Sequence, residues 1–498
     1  MPPVGRRHHA RSGEGSVARP GVIPRRPHPE ESSVSTQTPR TGTTARTART
    51  GPHDVGLAAG TVLVPGDAGY DQASSTLFAT GRPALVVRPH DPAEVGRAVT
   101  YAARKGLALS VRSGGHSPLG HGTNDGGMVL DLTHLDAVEV IDPHRRIVRV
   151  GAGATWGQVA AALAPHGLGI TAGDTASVGV GGLTLGGGVG WMVRRHGLAV
   201  DNLLAARVVT ADGRSVTASP EQHAGLFWAL RGGGGNFGVV TSFDFAAVPV
   251  GDVRFGSITY RPDDPAGLIR GWRDHLRTAP EELSSTLTLM PPFGGRPASV
   301  SVLLCDVHDD AGAAERAIEP LLRLGTVTDS AIETRPYADI LEDGAHPAGM
   351  RVVARNVLVP ELDDAVVGDL VAAHRGDRPT VLSLRGLGGA FGRVLPDATA
   401  FAHRDAEALV IGAVVVPGDA SDAVVDDALS GWRPVAAHGT GVYVNFQGSA
   451  TEADVRAAYP PATLERLAAI KRAYDPRNLF DRNLNIAPAG EPSSGGAA

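Results

Sequence analysis

Residues 112–132 read RSGGHSPLGHGTNDGGMVLDL, and two further segments match their glycine density, GVGGLTLGGGVG (179–190) and RGGGGNFG (231–238). Glycine allows positive φ and close backbone approach, so successive N–H groups can form a nest for pyrophosphate oxygens. A hydrogen bond to a charged group contributes roughly 1.5–3 kcal/mol, so a few would hold a dinucleotide without lysine side chains. This chain has few to offer: Lys105 and Lys471 are its only lysines. A single glycine cluster reads more simply as a tight turn at a strand end, but three in one domain favour a ligand. Gly233, Gly235 and Gly238 fit the spacing G-x-G-x-x-G. A helix precedes them and a strand follows, the reverse of the order a Rossmann site requires.

Within the first cluster, His116 and His121 lie five apart with Asp125 near, which could begin a metal site. No third nitrogen or sulfur ligand follows at recognisable spacing, and flanking glycines suit an anion better, so no metal is expected. A serine hydrolase would carry a G-x-S-x-G elbow; none occurs, and Ser117 is too close to His116 in sequence to form a triad with it.

Outward from these clusters a strand-then-helix rhythm appears. ALVVRP reads as a buried strand, followed by Asp91 as N-cap, Pro92 at N1, Glu94 as the capping-box acid and Gly106 as the stop. LALSVR alternates like a half-buried strand. RIVRVGAG is a strand, Thr155 and Gln158 open a helix that Gly167 closes, and RVVTADGRSVTA is a hairpin turning at Asp212-Gly213. Ser219, Pro220 and Gln222 begin a helix containing GLFWALR, and VVTSFDFAAV returns as a strand. Residues 251–440 hold longer apolar strands (SVSVLLCDV, ALVIGAVVV) and helices such as DDAVVGDLVAAH, with no chemical motif. Then YVNF reads as a strand and 463–474 as an amphipathic helix bearing Leu464, Leu467 and Ile470, stopped by Asp475-Pro476.

Composition limits the possible functions. The 498 residues, 42% hydrophobic and 20% charged, describe an ordinary globular protein with room for more than one core. No apolar run reaches the ~18 residues of a membrane span. Residues 1–54 carry nine arginines against four acids, while the whole chain is net −6, leaving the remainder net −11. An acidic body argues against nucleic-acid binding. The basic head has no apolar stretch behind its arginine pairs, so it is not a convincing signal peptide, and a cytoplasmic location is expected. Arginine in place of lysine, with abundant Ala, Gly and Val, is typical of high-GC bacterial coding. The lone Cys305 excludes an internal disulfide and a cysteine-based zinc site.

The three clusters, in order, resemble the flavin loops of the berberine bridge enzyme-like oxidoreductases, within the vanillyl-alcohol-oxidase (PCMH) type of FAD-binding fold. RSGGHSPLGHGTNDGGMVLDL is similar to the family's flavin-attachment segment. AGDTASVGVGGLTLGGGVGWMVRRHGLAVDNL resembles its second flavin loop, and RGGGGNFGVVTSFDF its adenine-side loop. PDATAFAHRDA and YVNF…YDPRNLFDRNLNI resemble its C-terminal signature. The resemblance spans residues ~60–488 and implies an α+β fold. Two subdomains would bind FAD (56–250), a substrate domain with a helix-covered antiparallel sheet would span 251–440, and 441–488 would complete the FAD domain. Residues 1–55 are expected to be disordered or to precede the true start, and 489–498 to form a disordered tail.

The resemblance also implies that His116 bonds the 8α-methyl carbon of FAD. Ser113, Gly114, Gly115, Ser117, Gly120 and His121 would line the cofactor. Gly173, Asp174, Thr175, Val178, Gly179, Gly182, Gly190, Val240, Tyr443, Asn445 and Asn483 would also surround it. Two positions depart from the family. Many relatives carry a cysteine at the place of Thr175 that links to the flavin C6, so a single histidyl link is expected here. Leu484 stands where a polar residue is common. The implied chemistry is hydride transfer from a small organic substrate to flavin N5, then reoxidation by O2 to give H2O2. Val178 occupies the place where a small residue leaves room for oxygen, which favours an oxidase. Tyr443 is the candidate base; a free phenol titrates near ~10, so it needs a neighbouring cation or donor. Asp131 and His403 are read as structural, and Arg194 and Arg195 as surface or supporting residues. The substrate would be a secondary-metabolite intermediate or a sugar or alcohol. The alternatives are a dehydrogenase with another acceptor and a catalytically idle flavin-binding protein.

Overall fold

In the computed structural model, Asp91 caps the helix Pro92–Lys105 through Glu94 N–H, and Glu94 accepts in return from His90 N–H. Gly106 ends the helix at φ 62. The structure describes residues 56–57, 61–343 and 350–490. The expected segment 1–55 lies outside these. So does the tail, apart from Ala489 and Gly490, and there Ala489 N–H bonds Ala468 O at 3.0 Å.

Strands β1 (Val62–Leu63), β2 (Leu85–Val87), β3 (Leu109–Arg112) and β4 (Met128–Asp131) form a sheet of order β1-β2-β4-β3, with β2 and β3 parallel to β4. Asp131 at its end is buried. Burial raises its pKa, but Arg112, Thr133 and Arg88 together outweigh this and hold the carboxyl below the usual range. This role is structural, as expected, and it fixes the strand that runs into the first glycine cluster.

The chain continues through β5 (Val138–Asp142), β6 (Ile147–Gly151), β7 (Leu168–Gly169), β8 (Leu203–Val209), β9 (Ser215–Ala218), β10 (Val239–Ala246) and β11 (Val248–Pro249). β7 pairs with β11; the others make an antiparallel sheet of order β5-β6-β10-β8-β9. The hairpin turns at Asp212-Gly213, and Thr155 with Gln158 forms a capping box before the helix Trp156–Leu163. The helix containing GLFWALR begins later than expected, at Ala224. Ser219 instead uses its hydroxyl to accept from Glu221 and Gln222 N–H, closing a turn of its own.

β12 (Asp252–Tyr260), β13 (Leu283–Met290), β14 (Ser299–Asp306), β15 (Val327–Pro336), β16 (Met350–Val359), β17 (Val381–Gly386) and β18 (Ala408–Pro417) form a seven-stranded antiparallel sheet of order β15-β12-β14-β13-β17-β18-β16. The helices Pro265–Thr278 and Asp364–Arg375 pack on it around Trp272, Leu287, Leu370 and Trp432. A separate core joins the first two sheets and takes in Leu467, Phe480, Leu484 and Ile486 from the C-terminal segment. The fold is α+β, of the expected type.

Three points refine the expected elements. YVNF is not a strand: Tyr443 is extended, but Val444–Phe446 is one turn of 3-10 helix, and only Gly441 bridges Leu358. Tyr443 N–H and C=O are both bonded by the Asn356 side chain, so no strand can pair there. Of the two readings of Arg194, surface or supporting, the structure shows the second: it is buried, and its guanidinium donates to the carbonyls of Leu387, Leu276 and Ala279. The helix read as 463–474 starts at Pro461, since proline is favoured at N1.

Candidate active site

Gly114 and Gly179 meet backbone to backbone. A Cβ on Gly114 would lie 2.3 Å from Gly179 N, and one on Gly179 would lie 2.1 Å from Gly114 N. Only glycine permits this approach, and it joins the first and second clusters into one wall. Behind it opens a cavity of about 730 Å³, near the upper end of the ~300–1,000 Å³ common for small-molecule sites.

Most of the expected cofactor residues line this cavity. Ser113, Gly114, Gly115, His116, Ser117 and His121 do so from the first cluster; Gly173, Asp174, Thr175, Val178, Gly179 and Gly182 from the second; Val240 from β10; Tyr443, Asn445 and Asn483 from the C-terminal segment. Gly120 and Gly190 do not. Gly120 turns the loop at φ 68 against Ala79, and a Cβ on Gly190 would strike Ala172 O at 1.9 Å. Both shape the loops from behind. The amides of Val180 and Gly181 bond Ala154 O and Ala152 O, so those two are engaged within the protein.

The wall suits a large, partly polar ligand. Asn483 Oδ1 is buried with no hydrogen-bond partner among the described residues, although Asn483 lines the cavity. Buried polar atoms are nearly always satisfied, so a ligand donor at this place fits. A Cβ on Gly182 would meet nothing within 4 Å. The donor set of backbone, hydroxyls and amides with few charges fits FAD. The adenine-side loop is held by Asn236, which donates to Gly233 O and Leu484 O and accepts from Ile486 N–H. Lys471, fully buried, donates to Asn236 O, Phe480 O and Asp475.

His116 Nε2 lies 2.8 Å from Ser177 Oγ, which lies 2.5 Å from Asp343 Oδ1. Sequence reasoning missed both partners. Ser177 sits two residues past Thr175 in a loop already singled out; Asp343 comes from a stretch where no motif was read. Among the described residues no group of three or more His, Cys, Asp or Glu side chains could hold a metal. Burial lowers the His121 pKa to about 4, assisted by repulsion from Arg482. Thr175 bonds Asp174, whose carboxylate pairs with Arg385. Cys305 is buried within β14.

Tyr443 is buried, and its phenolic oxygen accepts from Gly188 N–H (3.0 Å) and Asn445 Nδ2 (2.8 Å). Burial raises its pKa more than these donors and the nearby Arg385 charge lower it. The donors that the sequence required are therefore present, but they do not outweigh desolvation in the protein alone. Arg385 also stacks on Phe446, 5.2 Å from the ring centre.

Comparison with known proteins agrees with this geometry. The model for an FAD binding domain matches residues 83–219, and the model described as berberine and berberine like matches 442–487. The chain is 34% identical over 454 residues to the (R)-6-hydroxynicotine oxidase of Paenarthrobacter nicotinovorans, covering 86% of this chain and 97% of that one. The crystal structure of 6-hydroxy-D-nicotine oxidase from Arthrobacter nicotinovorans superposes with a TM-score of 0.76 at 31% identity, over 86% of this chain and 98% of the other. A glucooligosaccharide oxidase from Acremonium strictum, whose structure reveals a novel flavinylation, gives 0.74 at 25% identity, over 85% and 95%. With its flavin loops and C-terminal segment gathered on one cavity, the chain belongs to the berberine bridge enzyme-like family and is an FAD-linked oxidoreductase, with oxidase the favoured activity.

Proposed function

We propose that the chain is an oxidase that holds FAD through a single covalent bond to His116, oxidises a small organic substrate by hydride removal, and uses O2 as acceptor, giving H2O2. FAD, when bound, supplies the two-electron acceptor and its return to the oxidised state by O2. The observation that carries the reading is that His116 and Tyr443, from segments more than three hundred residues apart, line one cavity of dinucleotide size. The single link follows from Thr175, which has no sulfur to offer, and from Cys305, which is buried in β14 and does not line the cavity.

The protein's part is positional. Tyr443 presents an oxygen held by two donors, which stabilise the phenolate that must form before a substrate proton can be taken up there. Asn356 fixes its backbone on both sides. Asp174 and Arg385 form an ion pair beside the loop, and Val178 keeps a small side chain at the cavity wall, where oxygen needs room. The relatives' names span a hydroxynicotine and oligosaccharides, so the substrate class is proposed only as a small molecule with an oxidisable C–H beside N–H or O–H. A cytoplasmic location suits a chain with one cysteine.

The test is a panel of alcohols, sugars, cyclic amines and phenols, with H2O2 measured in air and dye reduction measured without oxygen. The proposal predicts peroxide equal to substrate consumed. Turnover only with the dye would identify a dehydrogenase, and stable flavin with no turnover on any substrate would identify an idle flavin carrier.

A further inference from the structure

Asp343 Oδ1 accepts twice from one residue, from Ser177 N–H at 2.9 Å and from the Ser177 hydroxyl at 2.5 Å. The two Ser177 bonds hold the Asp343 carboxyl below its ordinary range. An ionised carboxylate has no proton to give, and a serine has one. The Ser177 hydroxyl proton is therefore committed to Asp343, and Ser177 Oγ can meet His116 only as an acceptor. The ring proton of His116 is then on Nε2 and the lone pair on Nδ1, because the partner of one ring nitrogen sets the tautomer. The order is carboxylate, hydroxyl, imidazole, unlike a hydrolase triad, in which the imidazole stands in the middle. Here the reactive group at the end of the relay is the imidazole.

We propose that Ser177 and Asp343 are positioning residues for flavin attachment, fixing His116 as the Nε2–H tautomer so that Nδ1 is the attacking nitrogen and its charge is taken up as the bond forms. This rests on the reading that His116 carries the flavin. In the step, Nδ1 forms a bond to the 8α carbon, one of whose hydrogens has moved to the ring system. The new bond leaves an electron pair on that ring system and a positive charge on the imidazole. The Nε2 proton leaves through Ser177 towards Asp343 and water. O2 removes the electron pair with two protons and departs as H2O2, so one methyl hydrogen and one imidazole hydrogen are lost in all. Asp343 belongs to the segment that also carries the large sheet, while Ser177 lies just before the second glycine cluster. The attachment chemistry therefore depends on contact between these two parts of the chain.

The experiment follows covalent incorporation in apoprotein from flavin-starved cells mixed with FAD, reading flavin fluorescence that survives a denaturing gel. Ser177→Ala and Asp343→Asn should attach flavin at least about tenfold more slowly, the usual scale for removing a partner that orients a reactive imidazole. Their non-covalent FAD affinity should stay within about twofold, and Ser177→Thr should restore the rate. Attachment at the wild-type rate in both variants overturns the relay, as does a loss of FAD affinity that accounts for the whole slowing. Should the variants not fold, 15N spectra of histidine-labelled wild-type apoprotein decide: His116 protonated on Nε2 supports the relay, and protonated on Nδ1 overturns it. Wild-type protein that attaches no flavin, or His116→Ala that still does, instead defeats the underlying assignment and the relay with it.

Discussion

Replacing Lys471 by methionine keeps the volume of a fully buried side chain and removes its charge. Lys471 Nζ donates to Asn236 O (2.8 Å), Asp475 Oδ2 (2.8 Å) and Phe480 O (2.9 Å), and Asp475 is itself fully buried. Removing one partner of a buried ion pair typically costs about 3–5 kcal/mol, whereas an exposed pair contributes at most about 1. The abandoned Asn236 carbonyl adds a further ~1–3 kcal/mol unless water reaches it, whereas Phe480 O keeps the Asn483 side-chain amide as donor. Asp475 keeps two donors, Leu479 N–H and Phe480 N–H, which offsets part of the loss, so about 4 kcal/mol is expected. At somewhat under the ~2–4 °C per kcal/mol of smaller domains, the apparent Tm should fall by roughly 5–10 °C in differential scanning fluorimetry. Adding Asp475→Asn removes the uncompensated charge and should recover a good part of that drop. The single change should also weaken FAD retention, because Asn236 lines the cavity. A Tm within about one degree of wild type, or a double variant no better than the single, would show that the Lys471–Asp475 pair does not hold this segment.

Tyr443→Phe should cut kcat by ~10²–10⁴-fold, the range for a lost acid–base group, with the flavin spectrum and covalent attachment retained; near-normal turnover in a stopped-flow assay would reduce Tyr443 to packing. Gly179→Ala forces a methyl to 2.1 Å from Gly114 N, so the loops must part, and the flavin-to-protein absorbance ratio after purification should drop sharply. His121 stays neutral in the folded chain with a pKa of about 4 against an ordinary 6.5. The unfolded state binds the extra proton first, so stability is full above pH 6.5 and falls as pH drops towards 4, by up to about 3 kcal/mol. Melts across that range should be flatter for His121→Gln than for wild type.

What the sequence made legible was local. The Asp91–Glu94 cap, the Asp212-Gly213 hairpin and the Thr155–Gln158 box each depend on residues within a few positions of one another, and all three form as read. The three glycine clusters were recognisable because close backbone approach leaves glycine no substitute, as Gly114 against Gly179 shows. The tertiary partners were not legible. Asp343 reaches Ser177 across 166 positions, and Arg194 finds its carbonyls 82 to 193 residues away. YVNF has the composition of a strand, but Asn356 takes both backbone bonds of Tyr443 that a strand would use. Ser219 was read as a helix cap when its hydroxyl closes an earlier turn, a choice that local residue types alone do not decide.

Peptide mass mapping locates the single flavin bond proposed at His116. Cleavage after arginine gives one peptide, 113–145, that contains His116, and another, 150–194, that contains Thr175. After acid denaturation, flavin fluorescence and the added flavin mass are expected on 113–145 at His116, and on no other peptide. Flavin that washes away, remains on the protein in His116→Ala, or appears on 150–194 would contradict it.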